Sequence, residues 1–337
     1  MYKKFAVTRL GLAMLPIAVM IANSSTVALA AGKTTVKKTT TTVTTKTTHG
    51  NANVPVWVRN LNVPYRAWLP REKPREVLLC VHGLGFSSES YREFGRVFAS
   101  KGYAVYALDV RGFGKWMDRK DDSHVDFEAC LLDVEAALKA LRKAYPTCPT
   151  YLVGESMGGA IAMAATSRNP HLVDGLISCV PSSDRYAKLN SELVVGMHYV
   201  KDSDKPVSVE PEIVDRVTDD LALRKQIQSE KTNRLKLTPK ELKSFEDFMK
   251  GNNDAAKLIE KTPVLMLAGF KDRLVKPEGT IELFNNLSTQ KKVLMIIGDG
   301  EHLLLEEAQM TPQVGLLLSD WIRSESRGRK VSNSFIQ

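Results

Sequence analysis

The sequence predicts an α/β fold, in which helices flank a mostly parallel central sheet and a helical cap is inserted before one of the last strands. Three observations predict it. Short apolar runs alternate with segments of helical periodicity, which is typical of a parallel sheet with helices on both faces. About eighty residues, from 182 to 260, show helical patterns and no strand. A glycine-rich turn around Ser156 joins a strand to a helix.

The first thirty residues have the order of a secretory signal peptide. A basic start with charges at positions 3, 4 and 9 precedes the apolar run Leu10–Ala22, and Ala28–Ala30 has the small residues of a cleavage site. We therefore predict a signal peptide over residues 1–30 and an exported protein, either periplasmic or secreted. The alternative is an uncleaved leader that tethers the protein to a membrane. Against it, the apolar run of about 13 residues is shorter than the roughly 20 that a spanning helix needs.

The net charge of +9 comes mostly from the N-terminal region. Residues 1–50 contain seven Lys or Arg and no acid, and subtracting these seven from nine leaves +2 for residues 51–337. A nearly neutral folded part lacks the basic surface of a nucleic-acid-binding protein, so no nucleic-acid partner is expected. Residues 31–52 are rich in Thr and Lys with almost nothing to bury, which predicts a disordered linker.

The four cysteines do not suggest a disulfide framework. Cys80 and Cys179 lie inside apolar runs typical of strands. Cys130 and Cys148 lie near opposite ends of a predicted helix, about 22 Å apart at the helical rise, which is beyond disulfide reach. All four are predicted to be reduced core residues, and a pairing that the sequence does not foresee stays open.

Strands are predicted where short apolar runs are bounded by turn residues. Two segments near the start are expected to pair as an opening hairpin, Val54–Asn60 and Pro64–Leu69. The later, uninterrupted apolar runs are typical of strands buried on both faces of a parallel sheet. They are Val77–Val81, Ala104–Val110, Tyr151–Val153, Leu176–Val180, Val264–Ala268 and Val293–Ile297.

Helices are predicted between these strands. Ser90–Lys101 forms one, which ends at Gly102, and another begins near Ser156. A long helix is marked by apolar residues at steps of three and four, namely Phe127, Leu131, Val134, Leu138, Leu141 and Tyr145. Helices in these positions cover both faces of a parallel sheet.

The alternation stops between Pro181 and Lys261, where we predict a helical cap over about residues 182–260. Thr238–Glu241 is a capping box with Pro at the first helical position. An apolar stripe at helical spacing precedes it, formed by Tyr186, Leu189, Leu193, Met197 and Val200. The folded domain is predicted to span residues 53–325, followed by a flexible tail over 326–337.

The motif GESMGG at residues 154–159 predicts a nucleophile. It follows a predicted strand and opens a predicted helix, and in this context G-x-S-x-G is an elbow whose sharp turn exposes the Ser hydroxyl. Gly154 and Gly158 let the neighbouring chain segments pack closely. Ser156 is therefore the predicted nucleophile. The alternative is an ordinary glycine-rich turn.

The motif HGLG at residues 82–85 directly follows the predicted strand Val77–Val81. In that position it predicts an oxyanion hole. In elbow-type hydrolytic sites this loop supplies one backbone N–H, and the residue after the nucleophile supplies the other. The predicted donors are Leu84 and Met157, and each such donor lowers the barrier by about 3 kcal/mol. Gly83 and Gly85 leave room for the approach, and His82 is predicted to be structural rather than the base.

The acid is expected between the serine and the histidine in chain order. Asp272 follows the Val264–Ala268 strand, so it lies at a carboxyl end where sites of this class assemble. Asp299 lies only three residues before the candidate histidine, and Asp254 precedes its strand. Asp272 is therefore the predicted acid, with a surface Asp in a turn as the alternative.

One of the six histidines has the place that a catalytic base needs. His302 follows the last predicted strand and precedes an apolar helix. The others lie in the linker, in the cap or outside the expected order, and they are His49, His82, His124, His171 and His198. We predict that His302 takes the Ser156 proton and that Asp272 orients His302. The alternative is a structural histidine.

Two patterns that could suggest a cofactor do not predict one. Asp109–Gly114 contains Gly-x-Gly without the full G-x-G-x-x-G, so a dinucleotide site is not expected. No spacing of His, Cys and Asp is typical of a metal site. We expect neither a cofactor nor a metal.

These motifs resemble the monoacylglycerol lipase and lysophospholipase-like branch of the α/β-hydrolase superfamily, which also has serine aminopeptidase-type members. The resemblance covers roughly residues 54–323. Its marks are HGLG at 82–85, LDVRGFG at 108–114, GESMGG at 154–159, PVLMLAGFKDRLV at 263–275 and GDGEH at 298–302. It implies that the cap shapes an apolar acyl pocket. Residues 86–88 read Phe-Ser-Ser in place of the acidic–His pair of many monoacylglycerol lipases, which leaves the glycerolipid substrate open.

The leading functional hypothesis is a carboxylic-ester hydrolase acting on monoacyl lipids or related esters. A serine aminopeptidase is the second hypothesis, and it needs an acidic group in the cap to bind a free amine, for which Glu192, Asp202 or Asp204 could serve. A non-catalytic binding protein is the third, and the complete set of site residues argues against it. Serine at the elbow disfavours dehalogenase chemistry, which needs Asp. The expected partner is a small acyl ester or lipid, with peripheral membrane contact through the cap as a further expectation.

Overall fold

The computed structural model describes residues 54–182, 184–186 and 202–334. Its strands are β1 Tyr65–Trp68, β2 Glu76–Val81, β3 Tyr103–Leu108, β4 Thr150–Glu155, β5 Gly175–Cys179, β6 Val207–Ser208, β7 Lys236–Leu237, β8 Val264–Gly269 and β9 Lys292–Ile297. Seven of them form one sheet in the order β1-β3-β2-β4-β5-β8-β9, and β6 pairs with β7 separately. The predicted α/β fold is confirmed.

The α-helices follow the predicted alternation. They are α1 Val56–Arg59, α2 Arg92–Ser100, α3 Phe127–Ala144, α4 Met157–Arg168, α5 Glu210–Val217, α6 Leu221–Ser229, α7 Pro239–Lys250, α8 Asn252–Lys257, α9 Pro277–Asn286 and α10 Pro312–Ser334. Short 3-10 helices cover Ser88–Tyr91, Gly114–Asp118 and Pro170–Leu172. The predicted helix from residue 90 thus begins as a 3-10 turn and becomes α-helical at Arg92.

The sheet is parallel except at one edge, where β1 runs antiparallel to β3. Strands β2, β3, β4, β5 and β8 are buried along their whole length. Helices α3 and α4 contribute to the core on one face, and α2 and α10 to the core on the other. Because parallel strands end at the same edge, the loops after β2, β4, β8 and β9 meet there.

The prediction of an opening hairpin is wrong. Val56–Arg59 is a helical turn, with the N–H groups of Val58 and Arg59 bonded to Pro55 O, and β1 pairs with β3 instead of with the preceding segment. Val56 and Trp57 are exposed, and Lys143 Nζ lies 3.4 Å from the centroid of the Trp57 ring. The apolar residues of this segment predict a strand, whereas the backbone forms its hydrogen bonds within a local turn.

The described part of the cap is mostly helical, as predicted, and it also contains a short strand pair that was not predicted. Strands β6 and β7 form a two-residue antiparallel ladder, Val207 with Leu237 and Ser208 with Lys236. The predicted capping box at the start of α7 is confirmed, with reciprocal bonds between Thr238 and Glu241. Most of the predicted stripe lies outside the described residues, namely Leu189, Leu193, Met197 and Val200.

Three further observations concern the C-terminal helix, the cysteines and the hydropathy of the described helices. Helix α10 runs to Ser334, so the prediction of a flexible tail over residues 326–337 is wrong for residues 326–334, which are helical. The chain's four cysteines all lie in described regions and are buried and free, as expected. No helix in the described regions combines the length and the hydropathy of a membrane span.

Candidate active site

Ser156 occupies a sharp turn between β4 and α4. Its torsions, φ 55° and ψ −120°, lie in a region that is strained for residues other than glycine. The segments around it approach so closely that a Cβ at Gly154 would lie 2.1 Å from Gly158 O, and a Cβ at Gly158 would lie 1.9 Å from Val81 O. Only glycine fits at these two positions, which is why the motif has glycine there.

His302 and Asp272 are brought together by the loops after β9 and β8. His302 Nδ1 lies 2.8 Å from Asp272 Oδ2, and both side chains are buried. Asp272 Oδ1 accepts hydrogen bonds from the backbone N–H groups of Leu274 at 2.8 Å and Val275 at 2.9 Å. A carboxylate fixed in this way accepts the proton on Nδ1, which leaves Nε2 as the nitrogen that can receive another proton.

The pKa of His302 results from opposing effects. Burial of the imidazole lowers the pKa, whereas the charge of Asp272 and its hydrogen bond raise it, as does the charge of Glu155. Arg185 lowers it again. The net pKa lies above the ordinary histidine value of 6.5, so the carboxylates outweigh burial. A raised pKa strengthens the imidazole as a proton acceptor.

Ser156 and His302 line one cavity at the carboxyl edge of the sheet, and cap residues form much of its wall. Its apolar lining consists of Leu84, Phe86, Ile213, Val217, Phe245, Met249, Leu274 and Val275. Its other lining residues are Ser182, Arg185 and Tyr186. A serine hydroxyl and an imidazole therefore line the same, mostly apolar cavity.

Comparison with known proteins shows the family of the chain. A family model described as serine aminopeptidase, S33, matches residues 72–309, which is most of the chain. The chain belongs to this family of α/β-hydrolases. It is 25% identical over 259 residues to a monoglyceride lipase homolog of Monkeypox virus, covering 76% of this chain and 92% of the relative. It is 26% identical over 180 residues to a monoacylglycerol lipase of Mycolicibacterium smegmatis, covering 50% and 62%.

Solved structures show the same fold. Monoacylglycerol lipase from Paleococcus ferrophilus superposes with a TM-score of 0.66 at 21% identity, over 78% of this chain and 99% of that one. A soluble variant of the Saccharomyces cerevisiae monoglyceride lipase, in complex with a substrate analog, gives 0.65 at 18% identity, over 78% and 90%. The hydrolase thus has the fold of these solved structures.

The HGLG loop of the hydrolase lies against the cavity. Leu84 lines it, and Met157 is the first residue of α4, directly after Ser156. The ring of His82 is fully buried, with Nε2 accepting from Val110 N at 2.9 Å and Nδ1 donating to Gly83 O at 2.8 Å. Burial lowers the pKa of His82, and a nearby acid only partly offsets this. With both nitrogens engaged, His82 supports the loop.

Two buried carboxyl groups beside the site were not predicted. Glu155, the residue before the nucleophile, accepts backbone N–H bonds from residues 304–306. Glu306 accepts a bond from Gly83 N at 2.8 Å and contacts Ser90. The sequence did carry a signal, since Glu306 directly follows an apolar run and Glu155 follows another after one glycine, and a buried acid in such a place needs partners.

The alternatives weighed for the site lie elsewhere or outside the described regions. Asp299 and Asp254 are exposed, and so are Asp202 and Asp204, two of the three acids considered for binding an amine. Of the described histidines, His124 and His171 do not line the cavity. Residues outside the described regions are His49, His198 and Glu192. Within the described regions, no three His, Cys, Asp or Glu side chains are grouped closely enough to hold a metal ion.

Proposed function

We propose that the hydrolase cleaves carboxylic esters of the monoacylglycerol or lysophospholipid type, or related acyl esters, through an acyl-enzyme on Ser156. The observation that carries this proposal is that Ser156, on its strained turn, shares an apolar cavity with a histidine held by a buried carboxylate. The proposal therefore assigns each component of a serine-nucleophile site to a residue of this chain.

The mechanism assigns one role to each residue. His302 Nε2 takes the proton from Ser156 Oγ as that oxygen bonds to the acyl carbon, and Asp272 stabilises the imidazolium that forms. The backbone N–H groups of Leu84 and Met157 bind the oxyanion. His302 then gives its proton to the leaving alcohol. Water, activated by His302 in the same way, attacks the acyl-enzyme and releases the fatty acid.

The lining of the cavity supports an acyl substrate. Helices α5 and α7 of the cap contribute Ile213, Val217, Phe245 and Met249, an apolar surface that suits an alkyl chain better than a charged amine. The relatives described above as monoglyceride and monoacylglycerol lipases support the same substrate class. Contact of the cap with a membrane surface would deliver such a substrate and forms part of the proposal.

The test is hydrolysis of p-nitrophenyl esters from acetate to palmitate by the wild type and by Ser156→Ala. Ser167→Ala, in the same helix and away from the cavity, is the matched control. We expect turnover that peaks at medium or long chains, disappears in Ser156→Ala and persists in Ser167→Ala. Activity on acetate alone would point to a small-ester hydrolase. A folded wild type without any ester turnover would refute the esterase proposal and direct attention to aminoacyl amides.

We also propose that residues 1–30 direct export. The support is the order of basic, apolar and small residues in that segment. Cell fractionation and N-terminal sequencing of the mature protein test the proposal. A mature chain that begins near residue 31 outside the cytoplasm is expected, and an intact N-terminus on a cytoplasmic protein would contradict it.

A further inference from the structure

Glu306 connects the loop after β9 to the loop after β2. Its side chain is completely buried. Oε1 accepts the backbone N–H of Gly83 at 2.8 Å, and Oε2 lies 2.5 Å from Ser90 Oγ. The carboxyl group thus touches both ends of the segment that carries the proposed oxyanion donor Leu84.

The contacts of Ser90 are compatible with a proton on Glu306. Ser90 Oγ is 2.8 Å from the carbonyl oxygen of Ser87 as well as 2.5 Å from Glu306 Oε2. A hydroxyl has one hydrogen, and a carbonyl oxygen can only accept. When Ser90 donates to Ser87, the contact between Ser90 and Glu306 is a hydrogen bond only if Glu306 carries a proton and donates it to Ser90 Oγ. A neutral Glu306 satisfies every group in this chain of bonds.

Glu155 has the opposite set of partners. Its two oxygens receive the backbone N–H groups of Leu304 at 2.7 Å, Leu305 at 3.1 Å and Glu306 at 2.9 Å. Cys179 Sγ also donates to Oε1, at 3.2 Å. All four partners are donors, so this site suits an ionised carboxylate, which has acceptors only.

We propose that Glu155 as a carboxylate and Glu306 as a neutral acid are a pair of positioning residues that hold the His302 loop and the oxyanion loop in register with the nucleophile. Glu155 is covalently next to Ser156 and binds the segment just after His302. Glu306 continues from that segment to Gly83. One connected path therefore joins the three loops on which the proposed esterase mechanism depends, and the inference rests on that proposed function.

The electrostatic surroundings favour a single negative charge on the pair of Glu155 and Glu306, with Glu306 neutral. Burial and the charge of Glu155 raise the pKa of Glu306 well above the ordinary glutamate range, whereas the hydrogen bond from the Gly83 N–H lowers it less. In the described regions no Lys or Arg forms an ion pair with either acid. The ionisable groups that face the pair are Cys80, Tyr91, Cys179, His302 and Glu307. Because these groups supply little positive charge, a second buried carboxylate would be costly.

The two amide substitutions should differ, which gives the test. In Glu306→Gln, the amide oxygen can accept from Gly83 and the NH₂ can donate to Ser90, so the bonds of the neutral acid are reproduced. In Glu155→Gln, the NH₂ would face backbone N–H donors and leave one of them unpaired. We expect Glu306→Gln to keep kcat within about threefold, and Glu155→Gln to lower kcat by about tenfold or more with little change in KM.

Glu306→Ala tests whether the hydrogen bond that the Gly83 N–H donates to Glu306 positions the oxyanion loop. It leaves Gly83 N–H without its acceptor, so kcat should fall by about tenfold while the glutamine variant restores it. Rates are measured per folded molecule, with the folded fraction taken from near-UV circular dichroism. Equal loss in Glu155→Gln and Glu306→Gln, or a greater loss in Glu306→Gln, would overturn the assignment of the proton.

A second readout does not depend on catalysis. An acid whose pKa is raised in the folded state holds its proton there while the unfolded chain has lost it, so stability falls as pH rises from the ordinary carboxyl range toward the folded pKa. Glu306→Gln lacks this group, so its denaturation midpoint should fall less steeply with pH than that of the wild type. Parallel profiles would refute a neutral Glu306. If no variant and no wild type cleaves esters but the profiles differ, the proposed function has failed and the protonation of the pair stands.

Discussion

Arg234 and Glu241 form an ion pair of 2.9 Å inside the cap, and each also binds the backbone of the sheet domain. Arg234 Nη1 donates to Gly112 O at 3.0 Å and to Ser123 O at 3.2 Å, and Glu241 Oε1 accepts from Val125 N at 3.1 Å. Glu241 is also the acid of the capping box of α7. Glu241 therefore caps the start of α7. Together with Arg234 it also binds this cap helix to the loop that contains Gly112, Ser123 and Val125.

Glu241→Ala should destabilise the protein by about 3 kcal/mol, because it leaves a largely buried Arg234 without its carboxylate and removes half of a capping box. KM for long-chain esters should rise more than KM for acetate, since α7 forms part of the cavity wall. Asp247→Ala removes an exposed ion pair with Lys243 on the same helix and is the control, with an expected change under about 0.5 kcal/mol. Urea denaturation measures both, and equal effects would show that the pair does not fasten the cap.

Asp272→Asn should lower kcat by about 10³ to 10⁴-fold, because the amide cannot hold His302 in the required tautomer or stabilise its charge. Asp299→Asn, an exposed acid three residues before His302, makes the same chemical change and should leave kcat nearly unaffected. Steady-state kinetics on one ester decides between the two aspartates. A larger loss in Asp299→Asn would transfer the acid role to that residue.

The acid limb of the pH–rate profile should report His302. Its pKa is raised above 6.5, and only the neutral imidazole accepts the Ser156 proton, so kcat/KM should rise with pH through a midpoint above 6.5. Removing the Asp272 charge leaves burial as the dominant effect, so the residual activity of Asp272→Asn should have a lower midpoint. A profile that is unchanged by this substitution would exclude Asp272 as the cause of the raised pKa.

Glu307 should make stability depend on pH near neutrality. Burial and the charge of Glu230 raise its pKa to about 7, with smaller opposing effects of Gln226 and Arg92. The unfolded chain loses this proton near pH 4.5, so stability should fall between about pH 4.5 and 7, by on the order of 3 kcal/mol from this group. Glu307→Gln should remove that part of the slope, whereas Glu278→Gln, at an exposed position, should not. Thermal melts across this pH range compare the three proteins.

Alanine at two glycines should have effects of opposite sign. Gly158→Ala would place a Cβ 1.9 Å from Val81 O and should unfold the elbow or lower stability by several kcal/mol, with loss of activity. Gly328, in α10, has no atom within 4 Å of such a Cβ, so Gly328→Ala should stabilise by about 0.5 to 1 kcal/mol. A tolerated Gly158→Ala would mean that the strand and helix can separate at the elbow.

The sheet and the place of the site could be predicted because their signals are local. Each buried strand is an unbroken apolar run. The glycines next to Ser156 indicate the sharp turn on which it lies. Asp272 and His302 followed from chain order and strand ends, and their 2.8 Å contact across 30 residues agrees with that reasoning.

The rest depends on partners that are distant in sequence. Glu306 contacts Gly83 across 223 residues, and no local sequence pattern around either residue predicts this contact. Strands β6 and β7 have two residues each, too few for a periodicity. The segment at Val56 has strand-forming residues, yet its backbone bonds close locally after Pro55, so the conformation is set by a turn and not by propensity.

The strained backbone torsions of Ser156 lower the stability of the hydrolase. A backbone held at φ 55° costs about 1 to 3 kcal/mol for a residue with a Cβ, and glycine at that position would be relieved of the cost. Ser156→Gly should therefore melt at a higher temperature than the wild type while losing all turnover. Selection for stability alone would remove the serine, so this single turn imposes a trade-off between stability and activity.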